Sequence, residues 1–207
     1  MQMPFVVGIA GGTCSGKSTL ADRLERRLGE HYRVSVLHMD HYYKNPGFTT
    51  VAPVTRVEYP EHNHPDALDT DALFRDFKAM LNAKSVDIIL IEGLFALLFD
   101  AVRQRLDLKV FVDLPSDERL YRRIKRWSNQ SGMDEVASRY LDTVRYRHDE
   151  LVEPTRWHAN LILNGGSDSD SSVGILVDLI TARLRRHPIP LHQEVLPCPS
   201  PSCPPTF

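Results

Sequence analysis

With 207 residues, 42% of them hydrophobic, the chain is long enough to bury the core of about one domain. A formal net charge of −2 gives no whole-molecule affinity for nucleic acid, and no apolar run approaches the ~20 residues of a membrane span. Three cysteines make no disulfide framework, and no basic stretch followed by a long apolar one opens the chain, so a cytoplasmic protein with no membrane or nucleic-acid partner is expected.

The first predicted element is an apolar strand, Phe5-Val6-Val7-Gly8-Ile9-Ala10. It runs into Gly11-Gly12-Thr13-Cys14-Ser15-Gly16-Lys17-Ser18, which satisfies the G-x-x-x-x-G-K-[ST] pattern at every required position. Gly11 and Gly16 permit backbone conformations that a Cβ hinders, so successive N–H groups can point at phosphate oxygens. Lys17 supplies a mobile point charge for the β- and γ-phosphates, and the Ser18 hydroxyl a ligand for Mg²⁺. Leu20, Leu24 and Leu28 recur at i, i+4 and i+8, so a helix begins at the loop and turns its positive end toward the anion. Gly11, Gly12, Thr13, Cys14, Ser15, Gly16, Lys17, Ser18 and Thr19 are therefore read as an ATP-binding stretch, with Mg²⁺ as its companion ion.

A second strand over Val34–Met39 delivers Asp40 at its end. From His41 to Pro65 the chain is polar, aromatic and rich in turn formers, which predicts a long functional loop or lid edge. Within it, His62-x-His64 has no third ligand, and contact with a polar substrate suits the two histidines better than a metal. Tyr42 and Tyr43 either stack on a substrate ring or pack. Asp69 or Thr70 caps a helix carrying Leu73, Phe77, Met80 and Leu81 on one face. Val86–Ile91 is nearly all apolar, as a parallel strand covered on both faces requires, and it ends in Glu92-Gly93. Leu108–Asp113 is a further strand.

A helix follows from about Ser116. Arg119, Arg122, Arg123 and Arg126 share one of its faces, beside Leu120, Ile124 and Trp127. Guanidinium forks match phosphate oxygens, so this segment, about 116–133, reads as a lid over polyphosphate; the other reading is a solvated basic face balanced by Asp117 and Glu118. A polar break spans 128–132. Another helix is predicted from about Asp134 to Leu151, with Val136, Tyr140, Val144 and His148 four residues apart, and Pro154 stops it. Asn160–Asn164 is a last short strand, and a final helix carries Val173, Leu176, Val177, Ile180 and Leu184. Residues 188–207 include seven prolines and are read as a disordered tail after a domain over 1–187; Cys198 and Cys203 lie there without companion ligands.

Strands alternating with helices predict an α/β fold, a parallel sheet flanked by helices, with ligands outside the carboxyl ends of the strands. Gly11, Asp40 and Glu92 all follow strand ends. Phosphoryl transfer needs positioned phosphates, a metal, an acceptor for the hydroxyl proton and cations for developing charge. Asp40 is the candidate base and Glu92 a candidate outer-shell metal group.

Taken together, these segments resemble the uridine kinase and phosphoribulokinase group of P-loop kinases, from about Val6 to Gly166. Met39-Asp40-His41-Tyr42-Tyr43-Lys44 is similar to that family's D-x-[FY]-Y-[KR], and Asn63-His64-Pro65-Asp66-Ala67-Leu68-Asp69 to its D-H-P-D-A-F-D. Glu92-Gly93 matches its E-G after the third strand. Val112 to Arg126 resembles F-V-D-x-x-x-x-x-R-L-x-R-R-x-x-R, and Glu153-Pro154-Thr155 with His158-Ala159-Asn160 is similar to E-P-T-x-x-x-A-D.

The resemblance implies a P-loop fold like that of nucleoside and nucleotide monophosphate kinases, with an arginine-rich lid, and transfer of the ATP γ-phosphate to a hydroxyl of a small molecule, most simply a nucleoside. It implies Asp40 as base, Lys17 and Ser18 on phosphates and Mg²⁺, Glu92 in support of the metal, the four arginines in the lid, and Tyr43, Asn63 and His64 near the substrate. Homo-oligomerisation is left open. Three departures matter. Asn63 stands where the family has an Asp that holds ribose hydroxyls. Two lid arginines are absent between Arg126 and Met133. The segment that contacts the pyrimidine is missing, because Leu81-Asn82-Ala83-Lys84-Ser85 runs straight into Val86. Kinases of another ribosyl or sugar-phosphate compound, phosphoribulokinase-like or nicotinamide riboside kinase-like, therefore remain alternatives, as does a non-catalytic ATP-binding regulator.

Overall fold

The computed structural model describes residues 3–166 and 169–186; the tail over 188–207, with Cys198 and Cys203, lies outside them. Seven strands occur among the described residues: β1 (Phe5–Gly11), β2 (Val34–His38), β3 (Thr49–Val51), β4 (Glu58–Pro60), β5 (Ile88–Glu92), β6 (Leu108–Asp113) and β7 (Leu161–Asn164). Five pair in parallel in the order β2-β5-β1-β6-β7, and β3 pairs antiparallel with β4 as a separate ribbon.

The sheet is covered on both faces, which is why β1, and β5 up to its terminal Glu92, carry no polar side chain. Along β5, Ile88 and Leu90 face one side while Ile89 and Ile91 face the other. On the first side they meet Leu20, Leu24 and Leu28 of α1 (Lys17–Gly29) and Val173, Leu176, Ile180 and Leu184 of α7 (Ser169–Arg186). On the second they meet Leu73 and Phe77 of α2 (Thr70–Asn82), together with Phe95 and Val102. Asp69 caps α2, its carboxylate accepting the Ala72 N–H at 3.0 Å. Val102 belongs to the short helix α3 (Asp100–Arg103). No helix among the described residues is long and apolar enough to cross a membrane.

Three expectations need correction. The stretch from His41 to Pro65 is not one irregular loop. It holds the β3/β4 hairpin, whose three-residue strands are too short to show an alternating pattern. Thr55 and Tyr59 of the hairpin both donate to the Asp142 carboxylate at 2.8 Å. Second, the polar residues from Ser128 do not end the helix. α4 runs over Ser116–Ser131 and stops at Gly132, whose φ of 77° breaks the helical path. Third, the helix expected over 134–151 is not regular. α5 (Met133–Arg139) passes into a π-helical stretch at Tyr140–Val144, then α6 (Arg145–Arg147), then a second π-helical stretch at His148–Val152. A strict four-residue repeat drifts around a helix of 3.6 residues per turn, and the wider turns of i→i+5 bonding bring it back. Val136, Tyr140, Val144 and His148 thereby stay buried on one side.

Candidate active site

The loop after β1 lies at the carboxyl edge of the sheet. Gly16 caps α1 with φ 101°, in the left-handed region, and α1 begins at the next residue, Lys17, which is buried. Gly12 is constrained by close approach: a Cβ there would lie 2.6 Å from Arg119 Nη1. Cys14 holds φ 57° and Ser15 is fully buried, its Oγ without a partner among the described residues. Thr19 lies exposed on α1.

Strand register places the carboxylate chemistry. His38 and Glu92 end β2 and β5 as paired residues. Glu92 is 2% exposed; its Oε1 lies 2.8 Å from His38 Nδ1, and its Oε2 accepts the Ser18 hydroxyl at 3.1 Å. His38 was not singled out from the sequence, and its signal is only that a polar residue closes an apolar run. Two hard oxygen donors, Ser18 Oγ and a buried carboxylate, sit side by side, the donor type that Mg²⁺ accepts. No cluster of three or more His, Cys, Asp and Glu able to hold a metal occurs among the described residues. Any Mg²⁺ would thus take most of its ligands from phosphate and water.

The four arginines of α4 divide. Arg119 is 4% exposed beneath Gly12, and its Nε donates to the Leu114 carbonyl at 3.0 Å. Arg122 Nη1 donates to the Gly165 carbonyl at 3.1 Å. Arg123 Nη1 donates to Thr13 Oγ1 at 3.0 Å, while its buried Nε has no partner among the described residues. Arg126 is exposed, its guanidinium 4.8 Å from the centre of the Trp127 ring. The alternative of a solvated face fits Arg126, and Arg122 shares in it through its 3.8 Å pair with Glu118, while Arg119, Arg122 and Arg123 also reach the phosphate loop or the structure beneath it.

A cavity of about 290 Å³ opens beside the loop, bordered by Lys17, Asp40, Tyr43, Asn63, Arg123 and Arg139 among others. Asp40 sits on a 3₁₀ turn, Met39–Tyr42, directly after β2. The Tyr43 hydroxyl donates to the His62 carbonyl at 2.7 Å, and burial, then Asp40 and Glu61, push its pKa up. Tyr43 thus both packs and borders the cavity. Asn63 is buried, its N–H bound to Glu61 Oε1 at 2.6 Å. Glu61 in turn is paired with Arg147 at 3.2 Å. His64 is not on the cavity wall: its Nδ1 accepts the Asp66 N–H at 3.2 Å and caps a short 3₁₀ turn. The histidine on the wall is His62.

The model of the "Phosphoribulokinase / Uridine kinase family" matches residues 83–172. A uridine kinase from Staphylococcus aureus (strain Newman) is 32% identical over 210 residues, covering 89% of this chain and 97% of that protein. The chain belongs to the phosphoribulokinase / uridine kinase family. Another uridine kinase, from Lactobacillus helveticus (strain DPC 4571), is 29% identical over 209 residues, with coverage of 89% and 96%. Among solved structures, a possible uridine kinase from Bacillus stearothermophilus superimposes with TM-score 0.52 at 21% identity, covering 79% of this chain and 90% of that one. Shikimate kinase from Acinetobacter baumannii gives 0.52 at 14% identity, with 90% and 96% coverage. At such identities the two structures show the fold alone, that of P-loop kinases. This member of the phosphoribulokinase / uridine kinase family is a phosphotransferase acting on a hydroxyl group.

Sequence reasoning also missed Arg139 in this family member. It lies at the end of α5, and Nη2 donates to the Pro60 carbonyl and to His62 Nδ1, the latter at 2.9 Å. Burial lowers its pKa, against the pull of Glu61 and Glu135. A single arginine in a mixed helical stretch carries no motif, so only the hairpin's position reveals it.

Proposed function

We propose that this kinase transfers the γ-phosphate of ATP to a primary hydroxyl of a ribosyl, nucleoside-like acceptor. The observation that carries the reading is one cavity bordered by Lys17 from the phosphate loop, Asp40 from the end of β2, and Asn63. Asp40 would accept the hydroxyl proton as the acceptor oxygen bonds to phosphorus and the bond to the β–γ bridging oxygen breaks, releasing ADP. Lys17 and Arg123 stand on the phosphate side and would offset the charge on the transferring group. Asn63 would hold a sugar hydroxyl with its side-chain amide, and Tyr43 would close one wall. Ser18 would ligate Mg²⁺, with Glu92 behind it, and the ion would supply positive charge against the phosphates. α4 serves as the lid of a catalytic unit read over residues 1–187. The names of the relatives, uridine kinases, support a nucleoside-like acceptor. A reducing cytosol suits Cys14, which is a free thiol among the described residues.

The test is ADP release from Mg·ATP across a panel of nucleosides and phosphorylated sugars. Release that depends on a ribosyl acceptor is expected. ATP binding without acceptor-dependent release by any panel member would instead point to a regulator that binds ATP without catalysis.

A further inference from the structure

Arg123 and Arg139 border the same cavity, and neither has a carboxylate within ion-pair distance among the described residues. Each also has a buried Nε with no hydrogen-bond partner among the described residues. Unmatched, partly buried guanidinium donors are costly unless a ligand satisfies them. Arg139 is, after burial, the largest influence lowering the pKa of Arg123, so the two cations face one cavity.

The two are anchored to different sides. Arg123 is bound to Thr13 of the phosphate loop, so the γ-phosphate accounts for it. Arg139 is bound to Pro60 and His62, on the segment that also carries Asn63, so it stands on the acceptor side. The carboxylates nearby do not neutralise it. Glu61 is committed to Arg147 and to the Asn63 N–H, and Asp142 takes the hydroxyls of Thr55 and Tyr59. Glu135 borders the cavity but comes no closer than 4 Å to the guanidinium. Arginine can only donate, so His62 Nδ1 accepts from it and the neutral ring carries its proton on Nε2, a second donor.

We propose that Arg139, with His62, is an anion subsite for the acceptor: the molecule phosphorylated carries an oxyanion, a carboxylate or a phosphate monoester, away from its reactive hydroxyl. This rests on the reading of the cavity as the acceptor site and names the class of acceptor it takes. A guanidinium fork matches either oxyanion, and neutral nucleosides leave it unsatisfied.

Calorimetry on the full chain saturated with Mg²⁺ and a non-hydrolysable ATP analogue distinguishes the sources. The paired probes are uridine against 5-carboxyuridine and orotidine, and ribulose against ribulose 5-phosphate. At least one anionic probe should bind about tenfold or more tighter than its neutral partner, the range for hydrogen bonds to a charged group. Arg139→Gln should erase that preference while changing the neutral partner's affinity by no more than about twofold on the same scale. Arg139→Lys, which keeps the charge and a tether to the hairpin, should retain part of it and guards against a loosened hairpin. Binding of a carboxylated probe alone would identify the oxyanion as a carboxylate, and of ribulose 5-phosphate alone as a phosphate. Equal binding of neutral and anionic probes, no binding by any anionic probe, or loss of ATP-analogue affinity in Arg139→Gln would overturn the proposal, the last by making Arg139 a second arginine on the ATP phosphates. Failure of the kinase reading is separate: it would appear as no ADP release with any acceptor, whatever these affinities are.

Discussion

Lowering the pH should weaken this fold through one residue, His148. Its side chain is 9% exposed, Nε2 lies 3.2 Å from Glu153 Oε2, and Nδ1 is buried without a partner among the described residues. Burial first, then the Arg119 cation beneath the phosphate loop, push its pKa from 6.5 to about 4, against smaller pulls from Asp149 and Asp113. The folded value lies below the unfolded one, so the unfolded chain binds the extra proton first. The stability held by neutral His148 is complete above about pH 6.5 and is lost as pH falls toward 4. At ~1.4 kcal/mol per unit, the loss between pH 7 and pH 5 is about 2 kcal/mol. For a chain of this size that is about 4–8 °C in the unfolding midpoint. Other groups titrate in the same window, so the assay compares thermal midpoints at pH 7 and pH 5 in the parent and in His148→Gln. The amide of Gln keeps a donor for Glu153 and does not titrate. The parent should fall about 4–8 °C further than the variant. Parallel losses in both proteins would refute the reasoning and leave acid sensitivity to the carboxylates.

Two further outcomes concern the phosphate loop. Lys17→Ala should weaken Mg·ATP binding and abolish turnover, because the buried ammonium at the start of α1 borders the cavity; equal affinity by calorimetry would show that ATP binds elsewhere. Alkylation of Cys14, which is half-buried in the loop with its carbonyl near Arg122, should be slowed by saturating ATP, and labelling rates unchanged by nucleotide would separate the thiol from the phosphates.

What could be read from the sequence was the sheet and its edge. Apolar runs of strand length mark β1, β5 and β6 because both faces of the sheet are covered, and the carboxylates that close or follow the strands β2 and β5 mark where ligands gather. That is how Asp40 and Glu92 stand out. His38 escapes because nothing in the chain reveals that β2 pairs with β5, which sets His38 beside Glu92. His64 is in the familiar motif, yet its imidazole caps a turn, and the neighbour two residues earlier borders the cavity. Arg139 becomes visible only when the β3/β4 hairpin folds against the irregular helices after Gly132, a contact between segments ~80 residues apart that no local periodicity encodes.

The central claim, hydroxyl phosphorylation at the end of β2 with Asp40 as base, is tested most directly by Asp40→Asn. The measurement is turnover on the best acceptor beside Mg·ATP affinity in the same preparation. Asparagine keeps the shape and removes the basicity. Turnover should fall roughly 10²-fold or more, the usual range for general acid–base groups, with nucleotide affinity nearly unchanged because Lys17 and the phosphate loop are untouched. Turnover near the parental rate would contradict the account, making Asp40 structural and moving the search for the base to Asp66.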